Sequence, residues 1–372
     1  MDLFNVDKKI KEKKLHPKFK FLRDTVTLDG ERNVLNDWID GMVDRDGKIV
    51  KEFQTTFHSS LWEFFLFSFF KEANLTLNQR HNRPDFIIEK PYKINIEAVT
   101  ANIKSNGKNE KNRGINDILS MLTPIKLQDD FNELIDEAIT RYSNAIISKN
   151  IKFINEYSNL EHLDKDAPFI IALASYDQIN YGREFIYPML ALLYGLYYDN
   201  KYNVYKKRES ILKPGSNAEI PINLFAKDEY RNISAVIFSC TVTLGKLTSL
   251  AISKNKSKFN TNTILNIRRD YEDDKAPYKL QKVSNSNPEL LSDGIFIFHN
   301  PNANNSLLTE VFESTNATQF WLKDNKLIHT SNTYPIVSRI NFPSIFENEF
   351  IIMAQESIRN YNNISLEEFY YD

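Results

Sequence analysis

Residues 61–70 read LWEFFLFSFF, an apolar run broken only by Glu63 and Ser68, with Ser59 and Ser60 placed to cap a helix just before it. Such a run carries no polar stripe, so the helix it predicts is buried almost all round. Its one carboxylate is expected to be buried with it, unless that part of the helix faces solvent. An unpaired buried carboxylate costs several kcal/mol, so Glu63 is expected to point at a cation, a water network or a hydrogen-bond donor.

The chain can build the core such a helix needs: 372 residues, 42% of them hydrophobic, bound it to one to three ordinary globular domains. Lys and Arg number 47 against 49 Asp and Glu, a net charge of -2, so any site for a polyanion must be a local patch rather than a bulk basic field. The single cysteine, Cys240, excludes a disulfide framework and a multi-cysteine zinc module, and suits a reducing cytoplasm. The six histidines show no metal-ligand spacing. Residues 1–14 are too charged for a signal peptide and no stretch is apolar enough to span a bilayer, so the expectation is a cytoplasmic chain with no membrane partner.

After the buried helix come three segments of strand character, 75–79, 85–89 and 93–100, the last two joined through Pro91. A helical pattern over 130–160, a buried strand over 167–175 and an apolar helix over 183–198 follow, giving the order α, β, β, β, α, β, α. Three domain regions result: an N-terminal extension (1–57), a core (58–200) and an α+β C-terminal half (201–372) that can belong to the same unit. In that half, strands are expected at 233–239, 247–252 and 294–299, a hairpin over 321–328 and a closing helix over 344–361.

The chemistry concentrates at Asp85 and Glu97. A turn centred on Pro91 pairs residues whose numbers sum to 182, which sets Ile87 opposite Asn95 and Asp85 opposite Glu97, about 5 Å apart on one face. Phe86, Ile88, Ile94 and Ile96 then line the other face and anchor it. Two opposed carboxylates repel unless they share a proton or a hard divalent cation. With Glu63 they make an acidic cage suited to Mg2+ and to activating water against a phosphodiester.

The helix glutamate, the Pro84-Asp85 dipeptide and Glu97 after an apolar strand resemble the PD-(D/E)XK nuclease superfamily, the restriction-endonuclease-like fold. The blocks EFQTTFHSSLWE (52–63), IEAVTAN (96–102), ISAVIFS (233–239) and FHNPNA (298–303) are similar to those of a bacterial family of about this length and of unassigned function. The resemblance implies a restriction-endonuclease-like α/β core, a central mixed sheet flanked by helices, with Mg2+ or Mn2+ held by Asp85 and Glu97 and assisted by Glu63. It further implies a metal-dependent endonuclease on nucleic acid, DNA more than RNA, in an anti-phage setting with a defence partner protein. Cleavage of both DNA strands would favour a homodimer.

One position departs from the motif: the lysine expected two residues after the second acid is Val99. Lys149, with Arg141 two turns earlier on the same helix, is the first candidate to supply the missing charge; Arg83 and Lys104 are the others. Failing that, the fold would serve as a catalytically inactive nucleic-acid or protein-binding module. The Asn- and Lys-rich loop 101–114 offers Lys104, Lys108, Lys111 and Arg113 to phosphates, or is a simple connection. The stretches 202–208 and 246–258 interleave Lys with Tyr or apolar residues, which suits a solvated face or backbone contact. His299, Asn300 and Asn302 read as an Asx-type turn, and Cys240 and Trp62 as core.

Overall fold

The structure, a computed structural model, describes residues 1–6, 10–102, 112–176, 182–324, 326–330, 334–363 and 368–369. Its helices α1 (Pro17–Asp24), α2 (Asp29–Trp38) and α3 (Ile49–Thr56) precede α4 (His58–Glu72), the helix of the apolar run. A meander of β1 (Thr76–Asn78), β2 (Phe86–Lys90) and β3 (Ile94–Ala101) follows, then α5 (Ile115–Ser120), α6 (Phe131–Asn155), β4 (Phe169–Ser175) and α7 (Tyr187–Tyr194). Further on lie β5 (Leu196–Asp199), β6 (Val204–Lys207), β7 (Ser210–Leu212), β8 (Glu219–Pro221), β9 (Ile233–Ser239) and α8 (Leu244–Ser253). The chain continues with β10 (Asn262–Arg269), β11 (Tyr278–Lys282), β12 (Phe296–His299), β13 (Thr318–Lys323), β14 (Lys326–His329), β15 (Ile336–Pro343), α9 (Glu347–Asn362) and β16 (Glu368–Phe369).

An eight-stranded sheet in the order β1-β2-β3-β4-β9-β12-β13-β14 runs through the molecule. It is mixed: β3, β4 and β9 are mutually parallel, as are β12 and β13, and the other neighbours are antiparallel. Both faces are covered, as strands such as Phe169–Ser175, buried along their whole length, require. Ile170, Ala172 and Ala174 pack with α2, α4 and α8 on one face, while Phe169, Ile171 and Leu173 pack with α6 and α7 on the other. Smaller sheets, β11-β10-β15 and β16-β6-β5, and the β7-β8 pair complete the C-terminal half.

Residues 1–57, expected to be an extension outside the core, contribute to it instead. Phe19, Leu22, Val34, Leu35, Trp38, Phe53 and Phe57 are wholly buried and share one apolar cluster with α4. Short helices hid this contribution, because each offers only one to three apolar core residues between polar ones. The approach of α2 to α8 is close enough to need Gly30, where a Cβ would fall 2.7 Å from that of Ser257 and 2.9 Å from that of Ala251.

Two elements differ from expectation in kind. Residues 247–252 are helical, not a strand: Thr243 caps α8 by accepting from the Gly245 N–H at 3.2 Å, and Leu244, Leu247, Leu250 and Ala251 recur at helical spacing. The helix expected over 183–198 ends at Tyr194, because Gly195 takes a left-handed φ of 72° and turns the chain into β5. Among the described residues no helix is long and apolar enough to cross a membrane.

Candidate active site

β2 and β3 pair as Phe86 with Ile96, Ile87 with Asn95 and Ile88 with Ile94, the register set by the turn at Pro91. Phe86, Ile88, Ile94 and Ile96 all enter the α4-side core. The alternate residues therefore face α6, and Asp85, one step before β2, reaches across to accept from the Ala98 N–H at 2.8 Å. Asp85 and Glu97 thus meet at one end of the β2–β3 ladder.

Glu97 is sealed, its side chain 1% exposed. Its Oε1 accepts from Lys149 Nζ at 2.7 Å and Lys152 Nζ at 2.9 Å, and its Oε2 accepts from the Tyr157 hydroxyl at 2.9 Å. α6 brings both lysines to the strand because they lie three residues apart on one helix face. A carboxylate offers about four acceptor positions, so one on Oε2 is left. Burial raises the Glu97 carboxyl, but Lys149 and Lys152 together outweigh it and hold the group below its ordinary value.

Asp85 and Glu63 lie in the opposite electrostatic situation. Burial first, then the neighbouring Glu97, pushes Asp85 up to about 6. Burial pushes Glu63 up to about 8, with Asp85, Glu52 and Glu97 adding in the same direction. Asp85 Oδ1 and the whole Glu63 carboxylate make no hydrogen bond or ion pair among the described residues. Three acids within one field, one held ionised by two ammonium groups and two raised by crowding, separate the protonation states that acid and base roles require.

Glu63 and Asp85 open into a cleft of about 270 Å3 lined by the loop between α2 and α3, by α3 and by the residues around β1. Among the described residues no three His, Cys, Asp or Glu side chains converge as a ready-made metal site. Asp85 Oδ1 and the remaining position on Glu97 Oε2 are unfilled hard oxygen donors, the chemical type that Mg2+ or Mn2+ takes.

The other sequence candidates fall elsewhere. Lys104, Lys108 and Lys111 lie outside the described residues, and Arg113 turns its guanidinium onto Met121 Sδ at 3.1 Å. Arg141 reaches Ser175 Oγ at 3.5 Å, and Arg83 lies 3.6 Å from Glu156, so neither joins Glu97. Lys246, expected on an exposed basic stretch, is wholly buried against Glu289 at 2.7 Å, and Lys206 pairs with Asp199 at 2.9 Å. Asn300 does form an Asx turn, its Oδ1 accepting from the Asn302 N–H at 2.9 Å. Cys240 and Trp62 are core, the Trp62 indole donating to the Ala172 carbonyl at 3.0 Å. Sequence reading missed Lys152 and Tyr157. Lys152 was findable from its three-residue spacing to Lys149; Tyr157 lies beyond the helix end and gave no periodic signal.

Comparison with family models, with curated proteins and with solved structures finds no match, so the chain's own geometry carries the functional reading.

Proposed function

We propose that this chain is a metal-dependent nuclease with a restriction-endonuclease-like core, hydrolysing phosphodiester bonds of nucleic acid, DNA rather than RNA. The observation that carries the reading is the 2.7 Å contact of Lys149 Nζ with Glu97 Oε1, which supplies from α6 the cation that the strand lacks at Val99. Asp85 and the remaining position on Glu97 would hold Mg2+ or Mn2+, with Glu63 beside them. A cation there lowers the pKa of a bound water and neutralises phosphate charge. Lys149, oriented by Glu97, offers an ammonium to the charge that develops on the phosphorane. Glu63, raised to about 8, can hold or pass a proton beside the attacking water. A setting in anti-phage defence, with a homodimer or a partner protein, is part of the proposal and rests on analogy of fold.

A second reading, a binding module without hydrolysis, is favoured by the three protein donors that already occupy Glu97. One experiment separates them. Plasmid, linear duplex, single-stranded DNA and RNA are incubated with Mg2+ or Mn2+ and wild type, Asp85→Ala or Glu97→Ala. The nuclease reading expects cleavage that both substitutions abolish, and a melting temperature raised by Mn2+ in wild type alone. No cleavage and no metal-dependent stabilisation would leave the binding module.

A further inference from the structure

The cleft that holds Glu63 and Asp85 is lined by five carboxylates, Asp44, Asp46, Glu52, Glu63 and Asp85, against two cationic side chains, Arg45 and Lys48. A phosphate entering such a space meets repulsion from the ionised acids, neutral amides at Asn78, Gln79 and Asn82, and charge attraction at Arg45 and Lys48. Both are exposed, and neither side chain is engaged in an ion pair or hydrogen bond among the described residues. The loop that carries them is fixed, not slack. Asp44 Oδ1 accepts from the Lys48 N–H at 3.0 Å, Gln79 Oε1 accepts from the Val43 N–H at 2.8 Å, and Gln79 Nε2 donates to the Gly41 carbonyl at 3.0 Å. The backbone of this wall therefore stands across from Glu63 and Asp85 before any ligand arrives, with the Arg45 and Lys48 side chains free to reach a phosphate.

The size of the space limits what can enter. About 270 Å3 between residues 42–49 on one side and 77–86 on the other is room on the scale of one nucleotide. A nucleotide within a duplex is held by its stack and its partner, and must be unpaired before an enclosure of that scale can take it. We propose that Arg45 and Lys48 contact the phosphates that flank the acids, and that the cleft takes an unpaired strand of DNA, at an end or in a single-stranded stretch. This rests on the nuclease reading above and names its substrate.

The test uses the full chain and two separate readouts. Anisotropy of a labelled single-stranded DNA oligonucleotide in Ca2+ measures binding, with closed circular duplex as competitor; hydrolysis of the same oligonucleotide in Mg2+ or Mn2+ measures cleavage. Binding should favour the single strand by at least about tenfold over the closed duplex. The double variant Arg45→Ala with Lys48→Ala should weaken binding, and the slope of log K against log salt should shrink by about 1.4, the loss of two single-strand phosphate contacts. Arg45→Lys with Lys48→Arg should restore most of both. Equal competition by closed duplex, no binding, or an unchanged double variant would overturn the inference. Intact, charge-dependent binding without cleavage in Mg2+ or Mn2+ would sink the hydrolytic reading and leave this one standing; cleavage with unaltered affinity in the double variant would do the reverse.

Discussion

Two glutamates in this molecule each grip two cations, and they differ in what surrounds them. Glu289 accepts from Lys246 Nζ at 2.7 Å, from Ser249 Oγ at 2.5 Å, from Asn266 Nδ2 at 3.0 Å and from the Arg339 guanidinium. Lys246 spends its other donors on the Leu290 and Asp293 carbonyls at 2.8 and 2.9 Å, and both charges of the pair are 0% exposed. Glu97 is as deeply buried, yet its lysines are 21% and 33% exposed and its neighbours Asp85 and Glu63 keep unfilled acceptor positions. The Glu289 network is closed and ties α8 to β10 and β15. The Glu97 network keeps part-exposed lysines and lies beside Asp85 and Glu63, which line the cleft, so a ligand can approach its edge without first breaking the fold.

The sharpest way to break this comparison is to remove each glutamate. Glu289→Ala should cost about 3–5 kcal/mol in urea unfolding, because Lys246 and Arg339 are left charged and buried. Glu97→Ala should cost less, about 1–2 kcal/mol, because Lys149 and Lys152 can swing to water. Equal losses would erase the distinction. Next in size, Lys149→Ala should lower cleavage by roughly 10²–10³-fold at nearly unchanged melting temperature, as removal of one stabiliser of developing charge does. A proportionate loss of stability instead would make Lys149 a structural residue.

Acid should separate the two halves by a smaller margin. Arg339 and Lys246 outweigh the burial that raises Glu289 and hold its carboxyl down to about 2, from an ordinary value near 4.5. A depressed carboxylate contributes stability that is present above pH 4.5 and lost as pH falls toward 2, of order 2 kcal/mol. Unfolding curves from pH 5 to pH 2 should therefore be steeper for wild type than for Glu289→Gln; parallel curves would contradict the assignment. Smallest is the gain from Glu63→Gln. With its carboxyl raised to about 8, Glu63 burdens the fold from pH 4.5 upward, fully above 8, so the amide should add about 1 kcal/mol at pH 9 and nothing below pH 4 while reducing cleavage. A loss of stability at pH 9 would place Glu63 among the paired residues.

Much of this was legible in the sequence, for identifiable reasons. A turn at Pro91 and strict alternation fix the β2–β3 register, and with it the meeting of Asp85 and Glu97. The apolar run fixes α4, and the long period fixes α6 with Lys149 on the face that meets β3. What escaped was set by distance or by competition. The cleft wall at Arg45 and Lys48 is brought to Glu63 by packing that no local pattern records. β10 and β15 pair across a long interval, and Gly195 ends α7 inside a run that is otherwise uniformly apolar. Lys246 reads as surface by composition and is interior because Glu289, 43 residues on, is there to receive it.

The contact at Gly30 carries a last consequence. α2 lies on α8 with no room for a methyl group, and Asp29 and Asn33 add bonds to the Lys258 N–H at 3.1 Å and the Lys256 carbonyl at 3.3 Å. The clasp joins stretches more than two hundred residues apart along the chain. A molecule nicked in the exposed turn at Gly215 would have its two parts held together by this clasp as well as by the shared sheet.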